Sequence, residues 1–167
     1  MGLSKRHLDR NTQPVSFDPD LLGEALDRGL PDVLFALLLG SAVNGTVKPH
    51  SDLDLALFHG NSVASPGALL LQAQEICERV VGPVRCDVGI LNRAEPVYRF
   101  ESLKGRLLCC RNREIWLDFY SLTCREYEHQ LFHYRKQHAY RLEYARPVLT
   151  THLDDFTRFR DEIDRAG

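Results

Sequence analysis

The chain has 167 residues, of which 44% are hydrophobic and 26% charged, with a formal net charge of −2. A chain of this length buries a core without disulfide or metal staples, and its composition excludes a disordered, collagen-like or disulfide-framework protein. The longest apolar run falls short of a bilayer span and the first residues carry no apolar signal-like segment, so a cytoplasmic protein without membrane contact is expected.

Five cysteines, Cys77, Cys86, Cys109, Cys110 and Cys124, make an odd count without a Cys-x-x-Cys pair and read as reduced thiols. The seven histidines are scattered, and none sits in a cluster strong enough to argue for zinc. Charge is uneven: residues 1–90 hold 7 basic and 11 acidic side chains, and residues 91–146 hold 11 basic and 7 acidic. The second stretch therefore offers a cationic surface to phosphates, nucleic acid or an acidic protein, or is simply a solvated helix face.

In chain order, residues 1–17 are polar and aperiodic and read as a flexible arm. Asp18-Pro19 supplies an N-cap and a first-turn proline for a helix running to Gly29, with Leu21, Leu22, Ala25 and Leu26 as its stripe. Val33–Leu39 is uniformly apolar, which predicts a strand buried on both faces. It ends at Gly40-Ser41, a tight turn with a hydroxyl and free backbone N–H groups, suited to a phosphate tail and expected to open a short helical turn. Thr46–His50 is polar. Asp52–Phe58 reads as the next strand, and its period of two aims Asp52 and Asp54 the same way. Two such carboxylates repel unless a cation lies between them, and hard oxygen donors suit Mg²⁺ or Mn²⁺.

Ser65-Pro66 caps a long helix with Leu69, Leu70, Ala73, Ile76, Cys77 and Val80 on one side, ending at Gly82-Pro83. A third strand, Val84–Leu91, carries Asp87 on the face opposite its apolar residues. An aspartate is disfavoured in a strand, so Asp87 is either an edge charge facing water or a third metal carboxylate. A helix within 92–105 is expected to turn Val97, Phe100 and Leu103 inward, before a short strand at Leu107–Cys110. From Glu114 an aromatic stripe, Trp116, Phe119 or Tyr120, Thr123, Tyr127, Leu131, Tyr134 and His138, predicts a long helix packed on a core. Arg146-Pro147 is expected to stop it, and Thr151-x-x-Asp154 to cap a final helix. The body of the protein is thus expected over residues 18–146, with 147–167 as a C-terminal helical tail.

The pattern Gly40-Ser41-x-x-x-Gly45 followed by Ser51-Asp52-x-Asp54-Leu55 resembles the polymerase β type nucleotidyltransferases. The short chain and the segments Leu91–Val97 and Arg106–Leu108 are similar to the minimal nucleotidyltransferases (MNT), which are paired with HEPN-domain partners as toxin–antitoxin systems. The resemblance covers roughly residues 30–140. It implies an α/β (α+β) fold, a small mixed sheet with a nucleotidyltransferase core and C-terminal helices. It also implies catalytic and metal-binding roles for Asp52, Asp54 and Asp87. Gly40, Ser41 and Gly45 would bind nucleotide, with Ser51 orienting Asp52 or simply closing a turn.

With the resemblance, the expected activity is Mg²⁺- or Mn²⁺-dependent transfer of AMP from ATP to a hydroxyl of a HEPN toxin, this chain being its antitoxin. Asp52 and Asp54 would share one ion on the triphosphate, and Asp87 would serve a second ion and act as general base. Direct nucleic-acid binding is not expected. Transfer to a small aminoglycoside-type hydroxyl, or neutralisation of a partner by contact alone, are the competing readings. One departure bears on the nucleotide: where the family commonly has a small residue and then an arginine before the loop glycine, this chain has Val43 and Asn44.

Overall fold

The computed structural model describes residues 13–61 and 65–166, with side chains described as far as residue 143. The chain divides into two compact units, the second starting at Glu126.

Within the first unit, Asp18 accepts a hydrogen bond from the Asp20 amide at 2.9 Å and opens α1, Pro19–Gly29. Strand β2, Val33–Leu38, ends in a single 3-10 turn, Gly40–Asn44, and β4, Leu53–His59, returns antiparallel beside it. Ser65 accepts from the Ala68 amide at 3.4 Å and caps α2, Pro66–Val81. This helix carries the chain across to β5, Cys86–Ile90, which lies parallel to β4. Helix α3, Pro96–Ser102, then leads into β6, Arg106–Cys110, antiparallel to β2 on its other side. The sheet order is β5-β4-β2-β6, a mixed sheet with helices as the sequence implies.

Both faces of the two central strands are buried, which is why β2 is apolar throughout. On one face Leu22 and Leu26 of α1 and Leu69, Ala73 and Cys77 of α2 pack against Val33, Leu38, Leu53, Leu55 and Leu57. On the other, Phe35 stacks on Phe58, with ring centroids 4.8 Å apart and planes 3° from parallel. Trp116 and Phe119 close over Phe35 at 4.9 and 5.1 Å. They come from α4, Arg113–Ala166, whose first turns lie in the first unit. Each fully buried Leu or Phe contributes roughly 1.5–3 kcal/mol.

Four expectations are corrected. Val15–Ser16, read as part of a flexible arm, form β1 and pair antiparallel with β3, Thr46–Val47, inside the stretch read as polar loop; Val47 is fully buried. The rest of the arm, residues 1–12, lies outside the described residues. In α3, Val97 is 45% exposed and Ser102 is the buried residue, because Tyr98 is turned toward the space above Gly89.

The aromatic stripe of α4 is core only as far as Phe119 and Thr123. In the second unit Phe132 and Tyr134 are each 64% exposed. A stripe at helical spacing marks one face of a helix but does not by itself specify what covers it. Finally, α4 continues through Pro147. A helix-interior proline removes one hydrogen bond and can be absorbed by a bend, and the flanking Leu, Glu, Arg and Ala residues favour the helix. The Thr151–Asp154 capping pair has side chains outside those described. No helix among the described residues is long and apolar enough to cross a membrane.

Candidate active site

The end of β2 and the starts of β4 and β5 meet at one end of the sheet. There the second face, covered farther along by Phe35, Phe58 and α4, becomes polar. Asp54 and Asp87 are direct register partners on the parallel pair β4–β5. Neighbouring strands lie about 4.8 Å apart, and partners in register project to the same side. Asp52 precedes β4 by one residue, two before Asp54.

The electrostatics of this trio are those of uncompensated negative charge. The Asp54 carboxyl is raised above its ordinary range by burial first, then by the charge of Asp87 and then by that of Asp52. Asp52 Oδ2 lies 3.7 Å from Arg85 Nε, a long and largely exposed pairing. Its other oxygen, Oδ1, is buried and has no hydrogen-bond partner. A buried carboxylate oxygen without a donor is costly unless something cationic meets it.

Among the described residues no three His, Cys, Asp or Glu side chains are arranged, as they stand, to hold one metal ion. The acids approach pairwise, with Asp52 drawn toward Arg85, as repelling carboxylates are expected to do. The donor set still fits a hard divalent cation: all-oxygen, mutually repelling, with one orphaned buried oxygen. Cys86, beside Asp87, belongs to the opposite face of β5, in the core against α2, where the hydrogen bond with Cys77 and then burial raise its thiol.

Gly40 closes the other side of Asp54. Its φ is +63°, and a methyl group built on it would fall 2.9 Å from Asp54 Oδ2. The Leu39 amide donates to the Asp54 carbonyl at 2.8 Å, which pins the turn to β4. Ser41, next in the turn, is exposed. The turn therefore brings Gly40 against Asp54, with Ser41 next to it in the chain.

Gly45 also has a part in the fold. It ends the turn at φ +81°, and a methyl group there would fall 2.6 Å from the Phe17 carbonyl oxygen. Phe17 in turn donates its amide to the Gly45 carbonyl at 2.9 Å. Gly45 thus permits a close approach of the segment carrying β1. Ser51 donates its amide to the Lys48 carbonyl at 3.1 Å, in a turn where His50 has φ +62°.

Two residues of the site escaped the sequence reading. Arg85 pairs with Asp52 across the strand starts. Tyr98 of α3 places its hydroxyl over Gly89, where a side chain would collide with it. Its phenol is raised by burial and by the charges of Asp87 and Asp54, partly offset by Ser102. The glycine within β5 was the available signal, since such a glycine marks a close approach. A depression of about 650 Å³, lined by Asp20, Glu24, Asp27 and Arg111, lies between α1 and β6, and none of the three acids lines it.

Paired strand carboxylates beside a Gly-Ser turn, on a mixed four-stranded sheet, make up the candidate site. The chain belongs to the polymerase β nucleotidyltransferase family: residues 24–114, more than half of its length, match the family described as Polymerase beta, Nucleotidyltransferase. Among curated proteins no match was found.

Solved structures share the fold. One is a mutant of a toxin–antitoxin MntA–HpeT, similar with a TM-score of 0.56 and 17% identity over 68% of this chain and 89% of that one. Another is a toxin–antitoxin with AMP-PNP, at a TM-score of 0.55 and 18% identity over 68% and 89%. A third is a tri-AMPylated Shewanella oneidensis HEPN toxin in complex with MNT antitoxin, at 0.51 and 16% over 68% and 89%. The fold is therefore that found in MNT–HEPN toxin–antitoxin structures.

Proposed function

We propose that this chain is a protein adenylyltransferase, moving AMP from ATP to a hydroxyl of a HEPN-type toxin in the cytoplasm and so acting as its antitoxin. The observation that carries the reading is the juxtaposition of Asp54 and Asp87, in register beside Gly40, with the Asp54 carboxyl raised by burial and by its acidic neighbours. Family membership supports the class of chemistry. A fold shared with a complex of an AMPylated toxin supports the class of acceptor.

In the transfer, the acceptor oxygen attacks the α-phosphorus and the bond from that phosphorus to the bridging oxygen of pyrophosphate breaks. Pyrophosphate leaves, and the acceptor's proton passes to Asp87 and then to water. Asp52 and Asp54 would hold Mg²⁺ or Mn²⁺, with Asp87 contributing to a second ion; when bound, such ions neutralise phosphate charge and lower the acceptor's pKa. Gly40 and Ser41 present backbone N–H groups and a hydroxyl to the outer phosphates. Arg85, by pairing with Asp52, restrains that carboxylate before nucleotide arrives.

A second reading, inhibition of the partner by contact alone, draws on Asn44 standing where an arginine is common. ATP labelled on the α-phosphate, compared with ATP labelled on the γ-phosphate, separates the two. Label moving from the α-labelled nucleotide alone to purified partner supports nucleotidyl transfer. Inhibition with no label transferred supports contact.

A further inference from the structure

The proposed transfer leaves one pair of side chains in the second unit without a role. His129 and His133 lie one turn apart on α4, both exposed. Their Nε2 atoms stand 3.1 Å apart, with ring centroids separated by 4.4 Å and planes inclined at 73°. Residues four apart on a helix share one face, so the pairing is built into the sequence and needs no other element to hold it.

We propose that His129 and His133 form a chelating site for one transition-metal ion of the Zn²⁺, Ni²⁺ or Cu²⁺ type, separate from the hard-cation acids of the sheet. At 3.1 Å the two Nε2 atoms share a proton when both rings are neutral, one donating and the other accepting. A proton shared between them lies on the line joining the nitrogens, whereas a metal ion bound by both lies to one side of it, so each ring turns to present its lone pair. Imidazole nitrogens bind zinc at about 2.0–2.1 Å. Two such bonds to nitrogens 3.1 Å apart subtend about 98°, between the octahedral and tetrahedral angles. The spacing of the nitrogens therefore suits a single ion, and a small rotation of each exposed ring aims both lone pairs at it.

The donor type sets the selectivity. Imidazole suits zinc, nickel and copper, whereas Mg²⁺ seeks oxygen, so excess Mg²⁺ does not compete here. Phe132 meets the His133 ring edge-on, with centroids 5.8 Å apart, and limits its rotation on that side. Among the described residues no third ligand joins the pair, so water completes the coordination. An ion bound this way ties one turn of α4 to the next and favours its helical state by mass action.

The inference is independent of the transfer reading and is tested apart from it. Untagged full-length protein in excess Mg²⁺ is titrated with ZnCl₂ by calorimetry. In parallel, the histidine ring proton signals are followed by NMR as Ni²⁺ is added. The expected result is one Zn²⁺ per chain and selective broadening of the His129 and His133 rings. Either His129→Gln or His133→Gln should weaken binding at least about tenfold, since a chelate becomes a single ligand. His138→Gln should leave binding unchanged. Both ring positions are exposed, so circular dichroism should report an intact fold in each variant. Wild-type Zn²⁺ affinity in either single variant, loss of binding in His138→Gln, or no uptake by the wild type would overturn the site.

Discussion

Gly40 faces the carboxylate of Asp54 with no room for a side chain between them: a methyl group on Gly40 would sit 2.9 Å from Oδ2, at a φ of +63°. Gly40→Ala should therefore cost about 1–2 kcal/mol for its left-handed backbone and push Asp54 out of place as well. Gly45→Ala meets a similar backbone penalty, but its methyl group collides with Phe17 and not with an acid. Denaturant midpoints should fall in both variants. Transfer rate per folded molecule should collapse in Gly40→Ala and be largely kept in Gly45→Ala. Equal loss in the two would place Gly45 in the site after all.

Removing one of three repelling acids should relieve the fold while ending the chemistry. Asp54→Asn is expected to melt higher than the wild type in EDTA, because burial, Asp87 and Asp52 all disfavour the Asp54 charge. Adding Mg²⁺ or Mn²⁺ should raise the melting temperature of the wild type and leave that of the variant nearly unmoved. A lower melting temperature in EDTA would mean that the carboxylate makes a stabilising contact which the repulsion argument omits.

Tyr98 and Asp87 share the open side of the site, and their substitutions should part company. Asp87→Asn is expected to retain nucleotide binding and lose most turnover, as a proton acceptor's loss requires. Tyr98→Phe keeps the ring over Gly89 and removes only the hydroxyl, so turnover should drop by severalfold at most. Titration of ATP affinity beside single-turnover rates distinguishes these outcomes. Normal turnover in Asp87→Asn would reduce that residue to an edge-strand charge.

The thiol of Cys109 on β6 is pushed up to about 11, chiefly by burial and then by Asp27, with Arg111 pulling the other way. An unfolded cysteine titrates near 8.5, so the folded state holds its proton longer. The stability this contributes is whole below about pH 8.5 and is lost as pH climbs toward 11. Chemical denaturation across that window should show falling stability, with a shallower fall in Cys109→Ala. Parallel slopes in the two proteins would remove Cys109 from the account.

Local signals in the sequence located most elements. Asp18-Pro19 and Ser65-Pro66 marked helix starts because an N-cap is satisfied within three residues of itself. The unbroken apolarity of Val33–Leu38 marked a strand with cover on both faces. The spacing of Asp52 and Asp54 and the odd placement of Asp87 pointed to one end of the sheet, although only the β4–β5 register sets Asp54 against Asp87.

What stayed hidden depends on long-range pairing. The Val15–Ser16 ladder with Thr46–Val47 is two residues long, too short for any side-chain period. Tyr98 lies over Gly89 and feels the charges of Asp87 and Asp54, and nothing in its own sequence neighbourhood marks that. His129 and His133 were read as scattered although their spacing of four already placed them on one helix face.

The central claim is that this chain modifies its partner and does not merely hold it. Purified HEPN-type partner, incubated with ATP, Mg²⁺ and this protein, should gain the mass of one or more AMP units by intact-mass spectrometry. The same incubation with Asp52→Asn should leave the partner's mass unchanged. A partner that is inhibited by the wild type yet keeps its original mass would contradict the account.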